Sequence, residues 1–234
     1  MHPCVLAGQG GRAWRCLALP ALLIAAIVMI GAMPGCQLFA AMEESRRRTS
    51  TRPIDAEYTG LAGKSFAVLV TVDRAILAEY PELVDSMTER IVSRLAQPAN
   101  VPPAGGYIKA APTKNFLYRN PGWIAKPMSD LAEELGGVQR VILVEVSDFR
   151  LHEPGNSYEW KGIANFTTSV YEIDGQAPDE ASFTKVQTVD FPDKAGVNVD
   201  EIPRNVVASA LLARMIDRAT WLFYRHEEPY YPEY

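Results

Sequence analysis

The chain has 234 residues, 28 Asp+Glu against 23 Lys+Arg, and a formal net charge of −5. That acidic balance excludes the broad neutralisation of phosphates that nucleic-acid binding needs, so no nucleic-acid partner is expected. Three cysteines and three histidines leave little material for thiolate or metal chemistry.

The first element is a leader. Residues 1–16 carry Arg12 and Arg15 and no acid, Leu17 to Met33 are almost all apolar, and Pro34-Gly35-Cys36 follow. A basic region, an apolar region and a small-residue junction are the parts of a secretory signal. The Gly35-Cys36 junction resembles the lipobox of bacterial lipoproteins, although Met33 and Pro34 depart from the usual Leu and Ala/Ser. The resemblance implies a diacylglycerol on the Cys36 thiol and cleavage after Gly35. The competing reading is an uncleaved transmembrane anchor. Its apolar run of 17 residues is at the short limit for spanning and contains Pro20 and Gly31. Arg46, Arg47 and Arg48 beyond it favour the opposite orientation under the positive-inside rule.

The expected organisation is therefore a signal peptide (1–35), a lipid-anchored tether (36–58), a single α/β domain (59–228) and a Tyr/Pro-rich tail (229–234). Loss of Arg12 and Arg15 takes the 23 bases to 21 against 28 acids, a mature net charge of −7. Cys4 and Cys16 leave with the signal and Cys36 carries lipid. The mature fold then has no free thiol for a disulfide, a cysteine-based zinc site or a cysteine nucleophile. Ser45 to Arg52 are polar and basic, and Pro53 interrupts any helix, so the tether reads as solvated chain. Its arginines could rest on anionic headgroups.

Order is expected from Lys64. Ser65 to Val72 form a nearly continuous apolar, β-prone run, which reads as a strand buried on both faces and ended by Asp73. Pro81-Glu82 open a helix to about Gln97, with acids in its first turn and an apolar stripe of Leu83, Val84, Met87, Ile91, Val92 and Leu95. Residues 107–126 mix Tyr107, Phe116, Tyr118 and Trp123 with Lys109, Lys114, Arg119 and Lys126. A short strand is expected at Tyr107 to Ala110. The four aromatics are the candidate partner contacts, since aromatics and arginine are enriched at interface hot spots. Against this, Phe116 and Trp123 could simply cover a sheet edge. A short helix is expected from Asp130 to Leu135, with Asp130 and Glu133 at capping-box spacing and Gly136 ending it.

The clearest β region follows. Val141 to Val146 read as a core strand continuing through Phe149 and Leu151, and Glu153-Pro154-Gly155-Asn156 is turn chemistry. Trp160 to Ile173 and Phe183 to Phe191 complete an antiparallel meander. A last helix opens near Pro203 and runs to about His226, with Val207, Leu211, Met215, Ile216, Ala219 and Leu222 in one stripe. A strand-helix-strand start implies a right-handed parallel crossover. The expected fold class is α/β (mixed α+β): a mixed sheet with a parallel βαβ start and an antiparallel meander, and helices packed on it.

Chemistry is sparse. His152 and His226 are isolated and expected at the surface, and no serine sits in a nucleophile elbow. Gly60-Leu61-Ala62-Gly63-Lys64 precedes a strand rather than following one, which defeats a phosphate-loop reading. Asp73 ends a parallel strand, where α/β folds often place ligands, though strand ending or helix capping is its plainer role.

The lipobox, Gly63 to Val70, the amphipathic helix and the short helix ending in Leu135-Gly136-Gly137 form a pattern with Val141 to Phe149 and the Trp160-Lys161-Gly162 hairpin. Over about residues 60–226 this pattern resembles the envelope lipoproteins of the CsgG/LpoB/TolB-N-terminal-like class. The resemblance implies a three-layer α/β domain without enzymatic activity. It also implies action by protein contact, as in members that assemble secretion pores or activate cell-wall synthases. The long amphipathic hairpin insertion of the pore formers is not identified here, and no active residues carry over.

The expectation is a non-enzymatic, lipid-anchored, periplasm-facing protein of the outer membrane, with no cofactor and no metal. It would bind an envelope protein or assemble with itself. The alternative is an envelope hydrolase using carboxylates such as Asp73 and Glu145.

Overall fold

A computed structural model describes residues 51–98, 100–101, 106–192 and 196–229. The signal peptide, Cys36, the first part of the tether and residues 230–234 lie outside the described residues. A compact unit runs from Pro53 to Glu228.

In chain order, β1 (Thr51–Ile54) and β2 (Phe66–Val72) precede four helices: α1 (Arg74–Glu79), α2 (Leu83–Leu95), α3 (Ala110–Arg119) and α4 (Met128–Glu134). A 3-10 turn at Trp123–Ala125 separates the last two. Then come β3 (Arg140–Arg150), β4 (Glu159–Trp160), β5 (Gly162–Glu172), β6 (Ala181–Phe191), β7 (Val197–Asn198), α5 (Arg204–Trp221) and β8 (His226–Pro229). The main sheet has the order β2-β3-β5-β6, and β4-β7 and β1-β8 form separate two-stranded sheets.

The expected parallel start is present: β2 and β3 run parallel, with Phe66 opposite Arg140 and Val72 opposite Val146. Strands β3, β5 and β6 form the antiparallel meander. Alternation along a strand sends successive side chains to opposite faces. Phe66, Val68 and Val70 join Ile142, Val144 and Val146 under Met87, Ile91 and Leu95 of α2 and Val207, Leu211 and Met215 of α5. Ala67, Leu69, Val141 and Leu143 lie on the other face, under Trp123, Met128, Leu131 and Leu135. Helices on both faces of one sheet make three layers.

Several elements differ from the sequence reading. Helix α1 was not expected: it buries no residue, so it shows no apolar stripe. The strand expected at Tyr107 to Ala110 is reduced to one bridge between Tyr107 and Phe66, and Ala110 opens α3 instead. Pro112 sits in the first turn of α3, where a missing N–H breaks no helical bond. Asp130 and Glu133 do not form a capping box, because α4 starts earlier, at Met128 behind Pro127, and the Ser129 N–H donates to the distant Asp179 Oδ1 at 2.8 Å. Gly136 does end α4, at φ +100°, a conformation suited to glycine. The last helix stops at Trp221, and His226 lies in β8.

The stretch read as tether also contains structure. Thr51–Ile54 form a strand paired with β8. Tyr58 is buried, its N–H donating to Leu222 O at 2.9 Å and its ring 5.6 Å from Phe183. Composition hides this, because the partners of the segment come from the other end of the chain.

Leu211 is fully buried between α5 and the sheet. Leu211→Ala should therefore cost roughly 2–5 kcal/mol in denaturant melts. Ser209→Ala, exposed on the same helix, should change stability by about 0.5 kcal/mol or less.

Candidate functional site

Of the candidate contact residues, Phe116, Tyr118 and Trp123 lie on α3 and the 3-10 turn, while Tyr107 precedes α3 and bridges to Phe66 at the β2 edge. Thr113 is buried and donates to Lys109 O at 3.2 Å. Phe116 and Leu117 pack partly buried on the sheet, and Asn120 Nδ2 donates to Phe116 O at 2.9 Å as the helix ends. Trp123 is buried in the same core. Two of the four aromatics thus help bury the sheet. Tyr118 instead is 93% exposed, Ile124 beyond it is 56% exposed, and Tyr107 stacks on Phe66 with one side in solvent.

The electrostatics of this layer differ from those of the chain as a whole. No Asp or Glu occurs between Glu89 and Asp130. Lys114 pairs with Asp85 at 3.3 Å and Lys126 with Glu134 at 2.6 Å. Lys109 and Arg119 are exposed. Tyr118 and Ile124 therefore sit on a basic rim within an acidic chain.

The carboxylates singled out for hydrolysis are placed apart from such a role. Asp73 caps α1, its Oδ1 accepting the Ala75 N–H at 2.8 Å. Glu145 is exposed on β3, opposite Thr71 and Thr167. No hydrogen bond or ion pair joins the two among the described residues, and no group of three or more metal-ligating side chains occurs among them.

The histidines have structural partners. His152 Nδ1 lies 2.9 Å from Glu159 O, and its ring is 4.4 Å from Trp160. His226 is not on the solvated surface as expected. The chain leaves the helix at Trp221 and folds the imidazole onto that indole, 4.5 Å away and 8° from parallel. Its Nε2 is 3.3 Å from Glu228 Oε1, a carboxylate that also pairs with Arg218.

Sequence reasoning missed a heavily bonded side chain, Arg140. It begins β3 and is 5% exposed. Its Nε donates to Tyr58 Oη at 3.0 Å and to Gly60 O at 3.1 Å, and its Nη1 donates to Gln139 O at 2.8 Å and to Asp174. Tyr58 Oη donates to Glu172 Oε1 at 2.8 Å, and Lys64 Nζ lies 2.7 Å from Asp174 Oδ2. Burial, then the hydrogen bond to Glu172, pushes the Tyr58 phenol up to about 12. Burial also opposes the charge on Arg140, but the hydrogen bond to Asp174 and the surrounding negative charge outweigh it and raise its pKa. Hydrogen bonds from Lys64, then from Arg140, hold Asp174 below the ordinary carboxylate value. A lone arginine directly before an apolar strand is the only signal the sequence offers for this network.

No protein-family model matches the chain, and no curated protein matches it. Among solved structures it is similar to the PelC dodecamer from Paraburkholderia phytofirmans, with TM-score 0.40 and 12% identity, covering 74% of this chain and 97% of that one. It is similar to lipoprotein GNA1162 from Neisseria meningitidis, with TM-score 0.43 and 9% identity, covering 66% and 96%. The LpoB C-terminal domain from Salmonella enterica follows with TM-score 0.32 and 13% identity, covering 56% and 84%. Bacterial lipoproteins are thus among the similar solved structures, at a likeness too slight to assign a family or a function.

Arg140→Ala leaves Asp174 and Glu172 without their buried cation. It should destabilise the domain by roughly 1–3 kcal/mol in denaturant melts, because the carboxylates left behind are partly solvated and Asp174 keeps Lys64 at 2.7 Å. The lowered pKa of Asp174 means its contribution is present at neutral pH and is lost as pH falls below about 4. Melts across that range should show stability declining with acid, and Asp174→Asn should make the decline shallower.

Proposed function

We propose that this chain is a lipid-anchored protein of the bacterial envelope that acts by contact with another protein rather than by catalysis. The observation that carries the reading is the leader: two arginines, an apolar run and Gly35-Cys36. Lipidation of Cys36 would hold the α/β domain on the periplasmic side, and we place it on the outer membrane. The contact residues are Tyr118 and Ile124, with Tyr107 beside Lys109 and Arg119 at the rim. An aromatic side chain that packs on nothing within its own fold, set among bases, suits a partner presenting apolar surface edged by carboxylates. Phe116 and Trp123 support that surface from beneath.

The hydrolase reading has less to stand on. Asp73 is used as a helix cap, and Glu145 is an exposed side chain on the interior strand β3.

Full-length protein expressed in a bacterial host with an alkyne fatty acid tests the anchor. The parent should take up label and sediment with outer-membrane fractions, and Cys36→Ala should lose the label and remain unprocessed. Label retained in that variant would contradict the reading. Stable anchoring takes more than one acyl chain, since a single chain binds only marginally. A photo-crosslinking side chain at position 118 should trap a discrete envelope protein. An adduct that forms equally well from position 145 would contradict the assigned surface.

A further inference from the structure

The main sheet has two edges, and they are treated differently. On the β2 edge, the Phe66 N–H donates to Gly106 O and Ile108 N–H donates to Phe66 O, so the loop before α3 covers its start. On the other edge, β6 pairs only with β5. Among the described residues no main-chain partner reaches the outer side of β6; near the strand's C-terminal end Arg214 Nη1 donates to Asp190 O at 2.6 Å, which leaves the stretch around Val186 without a main-chain partner on that side.

A long open edge strand pairs with other strands unless something blunts it, such as a proline, a bulge, an outward lysine or a covering element. Strand β6 is 11 residues long. Its register irregularity lies at the first residues, where Val170 pairs with Phe183 and Tyr171 with Ala181. From Phe183 to Phe191 the pairing is regular and contains no proline. The one lysine, Lys185, shares a face with Phe183 and Val189 of the main core and is held by Glu57 at 2.8 and 3.0 Å. On the opposite face Thr184, Val186, Thr188 and Asp190 are all exposed, Val186 to 71%.

We propose that β6 is a self-association edge: it pairs antiparallel with β6 of a second copy of this chain, with the two-fold axis at Val186. The sequence of the strand selects this occupant and this register. With Val186 facing Val186, Lys185 faces Gln187, Thr184 faces Thr188 and Phe183 faces Val189. Apolar and β-branched side chains meet their like, and no charge meets a charge of its own sign. The neighbouring register toward the N-terminus would set Lys185 against Lys185, which is unfavourable for directly opposed residues. The one toward the C-terminus would set Gln187 against Gln187 and remove the central valine pair. A closed two-fold contact of this kind uses the same patch on both copies, so it ends at two and leaves no further edge on β6. The inference rests on the reading of this chain as a contact protein, and it uses a surface on β6, distinct from Tyr118 on α3.

Sedimentation equilibrium of the full lipidated chain in detergent tests it, using three double variants at exposed positions of the open face. In Thr184→Glu/Thr188→Glu each new carboxylate faces another across the axis, and in Thr184→Lys/Thr188→Lys each ammonium faces another. In Thr184→Lys/Thr188→Glu opposite charges face each other. The parent and the mixed variant should dimerise, and both like-charged variants should associate roughly tenfold more weakly or worse. A parent that stays monomeric at tens of micromolar overturns the proposal. So does weakening by only one sign of like charge, or equal behaviour of all three variants. A monomer that still forms its adduct through position 118 would sink self-association alone and leave the contact reading standing.

Discussion

A buried guanidinium sets the terms of this fold. A charge removed from water costs several kcal/mol unless it is paired and fully hydrogen-bonded. Arg140 is buried at the start of β3, so the chain must bring it partners there. Those partners are Tyr58 and Gly60 before the first core strand, and Glu172 and Asp174 at the end of β5. Satisfying Arg140 thus fixes where the chain enters the domain and where β5 ends against β3. Gly60 is part of the same fit: a Cβ there would lie 2.6 Å from Tyr58 Oη.

From that fixed corner the sheet spreads with unequal cover. The parallel pair β2 and β3 is apolar on both sides and is enclosed by helices on both. Strand β6 is covered on one face by α5, and its other face carries Thr184, Val186 and Thr188 in solvent. The helical layer that closes the second core is short, and it ends with Tyr118 and Ile124 outside it. Both proposed contact regions are therefore what remains after the core has been packed: a rim of exposed aromatic and basic side chains, and a strand edge without a neighbour.

What could be read in the sequence was what repeats. The run from Phe66 to Val72 and the stripe along α5 gave their elements and their buried faces, because periodicity and burial are the same information. Glycine at 136 marked a helix end because few other residues take its φ. What could not be read depended on distant neighbours. Arg140 meets Tyr58 and Asp174 across 82 and 34 positions of sequence. Helix α1 buries nothing and has no stripe to find. Phe116, Tyr118 and Trp123 look alike in composition, and only the path of α3 and the 3-10 turn after it decides that two face the core and one faces water. His226 falls one helical turn beyond Leu222, so the stripe ran on past the point where the chain leaves the helix.

The central claim is that this domain works through surfaces its own packing leaves open. Amide hydrogen exchange on the lipidated chain in native membranes, set against dilute detergent-solubilised protein, tests it most directly. The account predicts slower exchange in membranes for Phe183 to Phe191 and for the segment around Tyr118 to Ala125, with the buried strands β2 and β3 unchanged. Protection confined to the backbone around Asp73 and Glu145, with none at those two segments, would contradict it.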